Sequence, residues 1–351
     1  MKIFYAIQAT GNGHISRAVE LLPYLQQYGQ VDVFLSGSNS HLNANLPVKF
    51  TSMGMSLFYG NKGGLDYFKM LQYCSPARAY KEAKALPLED YDVVLNDFER
   101  ITALSCYLKN IPGINFGHQA AFISTKTPRP PKRNFAGELV LKKYAPATAY
   151  VGLHFQQYDH FIYPPVIKND ILNGISEDKG HITVYLSHYS DAVVANALSQ
   201  LPDVRFEVFS KIVKQREQNG NITFIPIDNA SFTKSILQSH GVITGAGFET
   251  PAETLYLGKR LLCLPIRGQY EQLCNAAALQ QFNVPVIEKM DKDFAKNVRA
   301  WLTGLPQQQL ALSHSTYDIV KQVMETAIAT KQSNSNTLSN LLSEEDVWAI
   351  G

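Results

Sequence analysis

Short apolar runs alternate along the chain with segments in which apolar residues return every three or four positions. An uninterrupted apolar run is typical of a strand buried on both faces, whereas the second pattern is typical of a helix with one apolar face. A dozen strands are predicted, at 2–7, 31–36, 48–52, 91–97, 114–118, 148–155, 181–187, 204–210, 221–227, 241–247, 260–266 and 284–288. Strands that alternate with helices form parallel sheets, and so many strands favour two sheets over one.

The two predicted sheets divide the chain into two domains. With 351 residues, the chain exceeds the usual length of a single domain. A proline pair and a polar, glycine-containing stretch interrupt the pattern at 163–180. We therefore predict an α/β fold of two facing Rossmann-like, doubly wound parallel-sheet domains, at 1–165 and 166–330, followed by a polar tail at 331–351. Ligands bind at the carboxyl ends of such strands, so the domains would share one cleft.

Composition and charge exclude several classes of protein. Hydrophobic residues make up 45% of the chain and the formal net charge is +2, which gives no general attraction for nucleic acid. No apolar run reaches the roughly 18 residues that span a bilayer, and the first residues lack the layout of a signal peptide, so we expect a cytoplasmic protein. The cysteines have no Cys-x-x-Cys spacing, which predicts reduced core residues rather than a zinc site or disulfides. They are Cys74, Cys106, Cys263 and Cys274.

The segment 5–22, YAIQATGNGHISRAVELL, leads from the first predicted strand into a helix. Gly11 and Gly13 lie in the turn, where glycine lets a ligand approach the backbone and the helix N-terminus attracts anions. A dinucleotide-binding fingerprint needs a third glycine where this chain has Ser16, which argues against a nicotinamide cofactor. A plain strand-to-helix turn is the alternative interpretation. The apolar helix positions are Ile15, Ala18, Val19, Leu22 and Leu25.

Three polar residues follow predicted strands of the first half and are candidates for acid–base chemistry. His14 follows the first strand, Asp97 ends the run YDVVLND, and His118 ends the run INFGH. A histidine with a carboxylate to orient it is a common general base. Each residue also has a structural alternative, because a histidine can open a helix at the surface and Asp97 can be a helix N-cap near Arg100.

A second glycine-containing turn occurs in the segment 242–279. A predicted strand runs into Gly245 and Gly247, and the sequence from Thr250 to Glu253 is typical of a helix start, with threonine as the cap and glutamate closing a capping box. The same geometry would point backbone N–H groups at a phosphate. Thr250 and Glu253 are therefore either helix-capping residues or ligand contacts.

Another helix is predicted to begin near Gln269, Glu271 and Gln272, after the strand at 260–266. Adjacent acid and amide side chains can bond the vicinal hydroxyls of a sugar. Alternatively, Glu271 and Gln272 are first-turn residues that the helix dipole favours.

These residues resemble the donor site of the two-domain GT-B glycosyltransferases. The nearest branch contains the lipid-linked N-acetylglucosaminyltransferase of peptidoglycan synthesis and the UDP-glucuronosyl and plant UDP-glycosyltransferases, and uncharacterised prokaryotic glycosyltransferases are also similar. The opening Gly-x-Gly-His resembles the N-terminal loop of that branch, so the likeness covers about 1–330. The matching positions in the second half are the glycines after the strand, Glu253, Pro265, Gln269, Glu271, Gln272, Asn275 and Ala276.

The resemblance implies a UDP-sugar as the donor substrate and no separate cofactor. Glu253 would bind the ribose hydroxyls, and Glu271 and Gln272 would contact the donor sugar. The uracil would lie near Ile225, and Ser187 would cover a phosphate. The remaining implied donor contacts are Gly11, Gly13, Gly245, Gly247, Phe248, Thr250 and Gln269, of which Gly247, Phe248 and Thr250 would hold the diphosphate.

The implied reaction is transfer of the sugar to an acceptor hydroxyl, with inversion and without a metal. His14 would be the base, Asp97 would orient it, and His118 would be its substitute. The acceptor is a glycan, a lipid-linked molecule or a small molecule. An Asp-x-Asp pair at Asp90 and Asp92 precedes its strand, which puts it at the wrong end of the sheet for a metal in the cleft.

The stretch 124–143 is basic and lies in the half that would bind the acceptor. It is a candidate site for an anionic acceptor or for weak peripheral contact with anionic lipid headgroups at the inner face of a membrane. The alternative is a solvated loop followed by the polar face of a helix. Its cations are Lys126, Arg129, Lys132, Arg133, Lys142 and Lys143.

Three other functions compete with sugar transfer. A nucleotide-sugar epimerase of the same fold would bind the donor without needing an acceptor. A nucleotide-sugar sensor would bind the donor and catalyse nothing. A dinucleotide-dependent oxidoreductase would need the missing third glycine.

Overall fold

The apolar runs of the first half form one parallel sheet. The structure is a computed structural model that describes residues 1–37, 45–54 and 75–333. The first sheet has the spatial order β3-β2-β1-β4-β5-β6-β7, and each of its described pairings is parallel. Its strands are β1 (Lys2–Gln8), β2 (Gln30–Ser36), β3 (Val48–Ser52), β4 (Val93–Asp97), β5 (Ile114–Gly117), β6 (Ala149–Leu153) and β7 (Ile162–Tyr163).

The apolar runs of the second half form a second sheet, with the order β10-β11-β9-β8-β12-β13. Its pairings are parallel except that the short edge strand β10 runs antiparallel to β11. The strands are β8 (His181–Tyr185), β9 (Arg205–Ser210), β10 (Glu217–Asn219), β11 (Ile222–Pro226), β12 (Gly241–Thr244) and β13 (Arg260–Cys263). The fold is therefore two Rossmann-like α/β domains, as predicted, with one mixed sheet.

Helices connect most of the strands, as a parallel sheet requires. They are α1 (Asn12–Leu25), α2 (Pro76–Ala85), α3 (Arg100–Lys109), α4 (Phe135–Lys143), α5 (Asn169–Leu172), α6 (Asp191–Leu198), α7 (Asn229–Gln238), α8 (Glu249–Tyr256), α9 (Tyr270–Gln280), α10 (Phe294–Thr303) and α11 (Thr316–Gln332). Within the described residues, short 3-10 helices cover Leu88–Asp90 and Gln119–Ile123.

The strand predicted at 284–288 is wrong. Only Val286 forms a bridge there, to Cys263 at the edge of the second sheet. The neighbouring Pro285 accepts a hydrogen bond from the Cys263 N–H through its carbonyl but has no N–H to donate, so the segment cannot extend a ladder. The strands β7 and β10 were not predicted, because runs of two and three residues are too short to show a strand pattern.

The last described helix, α11, leaves the second domain and packs on the first. Ser315 and Asp318 form a capping box at its start. Its buried face joins the apolar cluster that contains Ile15 and Leu22 of α1, and Lys331 near its end pairs with Asp92 just before β4. The residues of that buried face are Ile319, Val320, Val323, Met324 and Ala327. Apolar packing of α11 on the first domain thus joins the two halves of the chain.

No described helix is long and apolar enough to cross a membrane. Cys106, Cys263 and Cys274 are buried and free, as predicted, whereas Cys74 lies outside the described residues. The predicted polar tail lies outside them from residue 334 onward. The domain boundary at 165 stays a prediction, in a stretch where β7 ends the first sheet and β8 begins the second.

We expect Met324→Ala to lower the free energy of unfolding by about 2–5 kcal/mol, because it empties a fully buried site. The control is Ile328→Ala on the same helix, where the side chain is 40% exposed and the cost should stay below about 1 kcal/mol. Urea unfolding followed by circular dichroism measures both. Equal losses in the two variants would show that the helix does not bury this face in solution.

Candidate active site between the two sheets

The strand order of each sheet reverses at one point, and these two points lie on the sides of the cleft. In the first sheet the reversal falls between β1 and β4, and in the second between β8 and β12. Loops that leave neighbouring strands in opposite directions open a crevice there, which is where doubly wound sheets bind ligands. Gly11, Gly13 and His14 follow β1, Asp97 ends β4, and Gly245 begins the loop after β12.

His14 and Asp97 form a hydrogen-bonded pair at this point of the first sheet. Nδ1 of His14 lies 3.0 Å from Oδ1 of Asp97. The carboxylate favours the tautomer that carries its proton on Nδ1, which leaves the lone pair of Nε2 available. Burial alone would lower the pKa of His14, but the charge and hydrogen bond of Asp97 outweigh it and raise the pKa above 6.5. This is the geometry of a base with an orienting carboxylate, and the catalytic assignment stays a prediction.

Asp97 is completely buried, yet it remains ionised. Burial alone would raise its pKa, but the charges of Arg17 and His14 lower the pKa of this carboxyl below 3.8. The next residue, Phe98, has a φ of 58°, in the left-handed region that non-glycine residues seldom adopt. Strained backbone of this kind is typical of functional sites. The prediction that Asp97 caps α3 is wrong, because the N-cap is Glu99, which accepts from the N–H groups of Ile101 and Thr102.

Arg17 connects the pair to the second domain and was missed as a site residue. Its guanidinium is 3% exposed and bonds both carboxylate oxygens of Asp97. On its other side it pairs with Glu249, the first residue of α8. The available signal was the spacing, since Arg17 follows His14 by three positions on α1 and so lies on the same helix face.

His118 is buried at the interface of the domains. Nδ1 lies 2.9 Å from the carbonyl oxygen of Leu153, and Nε2 lies 2.8 Å from Oδ1 of Asn275 in the second domain. Its ring stacks on Phe248 at a centroid distance of 3.9 Å, and burial lowers its pKa below 6.5. Both ring nitrogens of His118 make short hydrogen bonds and its side chain is 1% exposed. Nε2 of His14 makes a longer contact, 3.4 Å to Gln119, and its side chain is 15% exposed, which favours His14 as the base. The substitute role of His118 stays a prediction.

Gln119 contacts the second ring nitrogen of His14, and Glu271 lies next to Gln119. Nε2 of Gln119 donates to Oε2 of Glu271 at 3.1 Å and lies 3.4 Å from Nε2 of His14. The predicted sugar-binding acid of the second domain and the predicted base of the first domain are thus one side chain apart. This closeness comes from the meeting of α9 with the loop after β5.

The donor-side helix begins earlier than the capping pattern predicts. It starts at Glu249, with Phe248 as an N-cap residue that makes no side-chain capping bond, so the capping box of Thr250 and Glu253 is wrong. The proline at 251 lies in the first turn, where a missing N–H is tolerated wherever the turn starts. Glu253 is left without a capping role, and its burial needs another explanation.

Glu253 is a buried carboxyl, 2% exposed, next to one cation. Oε1 lies 3.3 Å from Nζ of Lys168, which belongs to the segment between the domains. Oε2 is buried with no hydrogen-bond partner. Burial raises the pKa of Glu253 to about 7, although Lys168 opposes the rise. The unpartnered oxygen is the feature that a hydroxyl ligand would satisfy.

The other predicted donor contacts lie on the loops of the second domain. A Cβ at Gly247 would meet no atom within 4 Å, so this position faces open space. Gln272 is buried, and its side-chain oxygen accepts from the N–H groups of Ala246 and Ile266, which holds the glycine turn against the loop after β13. Ser187 is exposed after β8, Ile225 is buried within β11, Thr250 is half-buried in α8, and Gln269 precedes α9 with a buried, unpartnered side-chain oxygen.

Internal ion pairs occupy much of the basic stretch 124–143. Arg129 bonds Glu138 at 2.6 Å, Lys142 lies 3.4 Å from the same carboxylate, and Lys126 lies 3.0 Å from Asp159. Tyr270 of the second domain also donates to Glu138. This stretch therefore contributes to the interface of the domains, and its contact with an anionic acceptor or a membrane stays a prediction.

The sequence matches the profile of glycosyl transferase family 1 over residues 1–306. The chain belongs to this family. Sugar transfer is therefore the activity of this glycosyltransferase. No curated protein sequence matches the chain.

Solved glycosyltransferases share the fold of this chain. Spinosyn forosaminyltransferase SpnP is 12% identical, with a TM-score of 0.60 over 93% of this chain and 99% of that protein. UGT89C1 of Arabidopsis thaliana in complex with UDP is 14% identical, with a TM-score of 0.57 over 99% of each chain. The same plant enzyme has also been solved with UDP-L-rhamnose, at a TM-score of 0.57 and 14% identity over 99% of this chain and 98% of that one. The glycosyltransferase described here thus has the GT-B fold.

The described residues of this glycosyltransferase contain no cluster of three His, Cys, Asp or Glu side chains arranged to hold a metal ion. Asp90 and Asp92 lie before β4, at the amino end of the strand. Asp92 accepts from the N–H of Lys2 there.

The raised pKa of Glu253 should make the free energy of unfolding depend on pH. The carboxyl ionises near 4.5 in the unfolded chain and near 7 in the fold, so ionisation opposes folding above pH 7 and has no effect below pH 4.5. We expect Glu253→Gln to raise the free energy of unfolding above pH 7 by up to about 3 kcal/mol, with the gain vanishing between pH 7 and 4.5. Urea unfolding at pH 4.5, 6, 7 and 8.5 measures it.

The matched control is Glu288→Gln, an exposed glutamate of the same domain, which should produce no such pH-dependent gain. A Glu253→Gln variant less stable than wild type at pH 8.5 would show that the ion pair with Lys168 outweighs the burial of the carboxylate.

Proposed function

We propose that this glycosyltransferase moves a sugar from a UDP-sugar to an acceptor hydroxyl, with inversion and without a metal. The observation that carries the proposal is the His14–Asp97 hydrogen bond of 3.0 Å at the edge of the first sheet that faces the donor-side loops. The other imidazole nitrogen, Nε2, lies 3.4 Å from Nε2 of Gln119 in a cleft lined by both domains. A base in this position is what abstraction of a hydroxyl proton requires.

Several features of the second domain support a nucleotide diphosphate donor. Gly247 leaves space before the first turn of α8, whose N–H groups and dipole favour an anion. The unpartnered oxygen of Glu253 is an acceptor for a ribose hydroxyl. The fold is shared with a plant enzyme solved in complex with UDP. Ile225 and the end of β11 would contact the flat base.

The proposed step is a single displacement. Nε2 of His14 takes the proton of the acceptor hydroxyl as its oxygen forms a bond to the anomeric carbon of the donor. The bond from that carbon to the diphosphate oxygen breaks, and the electron pair leaves with UDP. Attack from the side opposite the leaving group inverts the anomeric centre. Asp97 stabilises the imidazolium, and the N–H groups at the start of α8 stabilise the departing diphosphate.

The raised pKa of His14 fits this role. The charge and hydrogen bond of Asp97 raise the pKa of His14, so its imidazole binds a proton more firmly than a free imidazole does. We therefore expect the rate to rise with pH through the pKa of His14.

Binding of UDP tests the donor half of the proposal. We expect UDP to bind the wild-type chain in calorimetric titration and Glu253→Gln to weaken binding by about 1–3 kcal/mol, the scale of a hydrogen bond to a charged group. NADH should not bind. Glu288→Gln should bind UDP like wild type. Absence of UDP binding by the wild-type chain would refute the donor assignment. Equal UDP affinity of the wild-type chain and Glu253→Gln would refute the ribose contact.

Turnover tests the base. With a UDP-sugar that binds and an acceptor that supports release of UDP, we expect His14→Gln to lower kcat by about 10²–10⁴-fold and leave UDP affinity unchanged. The control is His160→Gln, because the side chain of His160 is 88% exposed. Conversion of the UDP-sugar without any acceptor would indicate an epimerase instead.

A further inference from the structure

Arg17 is a deeply buried cation in contact with the candidate base. Its side chain is 2% exposed, and it lies one helical turn after His14 on α1. Burying a guanidinium is costly unless its charge and its N–H groups are all compensated. The hydrogen-bond partners of the guanidinium therefore show which groups hold Arg17 in place.

One side of the guanidinium is fixed on Asp97. Nη2 lies 2.8 Å from Oδ1 and 2.7 Å from Oδ2, and Nε lies 3.3 Å from Oδ2. Two-point contact between arginine and a carboxylate fixes the plane of both groups. Oδ1 is also the oxygen that bonds His14. The orientation of the imidazole thus depends on a carboxylate that Arg17 holds in place.

The other side of the guanidinium reaches the second domain. Nη1 donates to Oε1 of Glu249, at the start of α8. The carboxylate of Glu249 fits beside α1 because position 13 is glycine, where a Cβ would lie 2.6 Å from Oε2. Arg17 therefore contacts a carboxylate from each domain at once.

The charged groups around His14 come from four elements. Asp97 belongs to β4, Arg17 to α1, Glu249 to α8, and Glu271 of α9 lies behind Gln119. Nη2 of Arg17 is 3.1 Å from Nδ1 of His14, so the two cationic groups share one carboxylate. Tyr5 of β1 also faces Asp97 and Arg17, and burial raises its pKa, which keeps it neutral.

We propose that Arg17 is a positioning residue for the His14–Asp97 pair, fixed from the second domain by Glu249, so that the pair is ordered only when the domains meet. The inference rests on the proposed role of His14 as the base. With Glu249 withdrawn, Arg17 keeps one carboxylate instead of two, and the buried charge is under-compensated. The second domain, which carries the proposed donor site, would then control the orientation of the base in the first domain.

The test measures His14 directly, so it does not depend on finding substrates. Ring-nitrogen chemical shifts of His14 in the full chain, followed by NMR against pH, give its pKa in each variant. In Arg17→Gln the carboxylate is no longer shared with a second cation, so we expect the pKa of His14 to rise by roughly 0.5–1 pH unit. Asp97→Asn and Glu249→Gln should lower it, because each removes a negative charge.

Activity and binding supply the second readout. We expect Arg17→Gln to lower kcat by about 10–100-fold through misplacement of the base, with UDP affinity within twofold of wild type, and Arg17→Lys to restore part of the rate. The control is Arg299→Gln, which removes an exposed pair with Asp203 in the second domain and should change neither quantity. If Arg17→Gln does not fold, Glu249→Gln carries the test alone.

Two results would overturn the inference. An unchanged pKa of His14 in folded Arg17→Gln or Glu249→Gln would leave Arg17 with a packing role only. A tenfold or greater loss of UDP affinity in Arg17→Gln, with the pKa of His14 unchanged, would make it a diphosphate contact instead. Failure of the wild-type chain to bind UDP refutes the proposed donor and leaves the NMR result intact, so the two failures are distinguishable.

Discussion

The candidate site depends on the compensation of one buried charge, the carboxylate of Asp97 at the end of a central strand. An isolated carboxylate at this depth would take up a proton. Arg17 and His14 keep it ionised by bonding it, and this fixes the plane of the imidazole and the tautomer that leaves Nε2 unprotonated. The strained turn at Phe98 follows the same carboxylate. Ion pairs and hydrogen bonds to Asp97 therefore fix the geometry of the site, at the end of a buried strand.

The second constraint is that the site belongs to neither domain alone. Glu249 completes the compensation of Arg17, Asn275 faces His118, and Glu271 accepts from Gln119. Apolar packing also joins the two domains, because one apolar cluster includes the buried face of α11 and Phe248 beside His118.

The donor side is more acidic than a diphosphate site would suggest. Glu249 and Glu253 both lie on α8, one with Arg17 and the other with Lys168 as its cation. Burial that raises the pKa of Glu253 to about 7 destabilises the ionised fold, and it also leaves an oxygen without a partner for a ligand. Burial of the Glu253 carboxyl therefore both lowers the stability of the fold and leaves an oxygen that can accept a hydrogen bond from a ligand hydroxyl.

The two Rossmann-like sheets could be predicted from the sequence, because buried parallel strands are continuous apolar runs that can be recognised one at a time. His14, Asp97 and Glu253 could be predicted as candidates because they follow strands or a glycine turn. It failed where a decision depends on distant residues. The edge segment 284–288 forms a single bridge, to Cys263. Helix α8 starts at Glu249, earlier than the capping pattern favours, after a loop in which Ala246 donates to Gln272 of another helix. Arg17 and Glu249 are 232 positions apart, and only the meeting of the two domains makes them neighbours, because compensation of a buried charge is a property of the assembled fold.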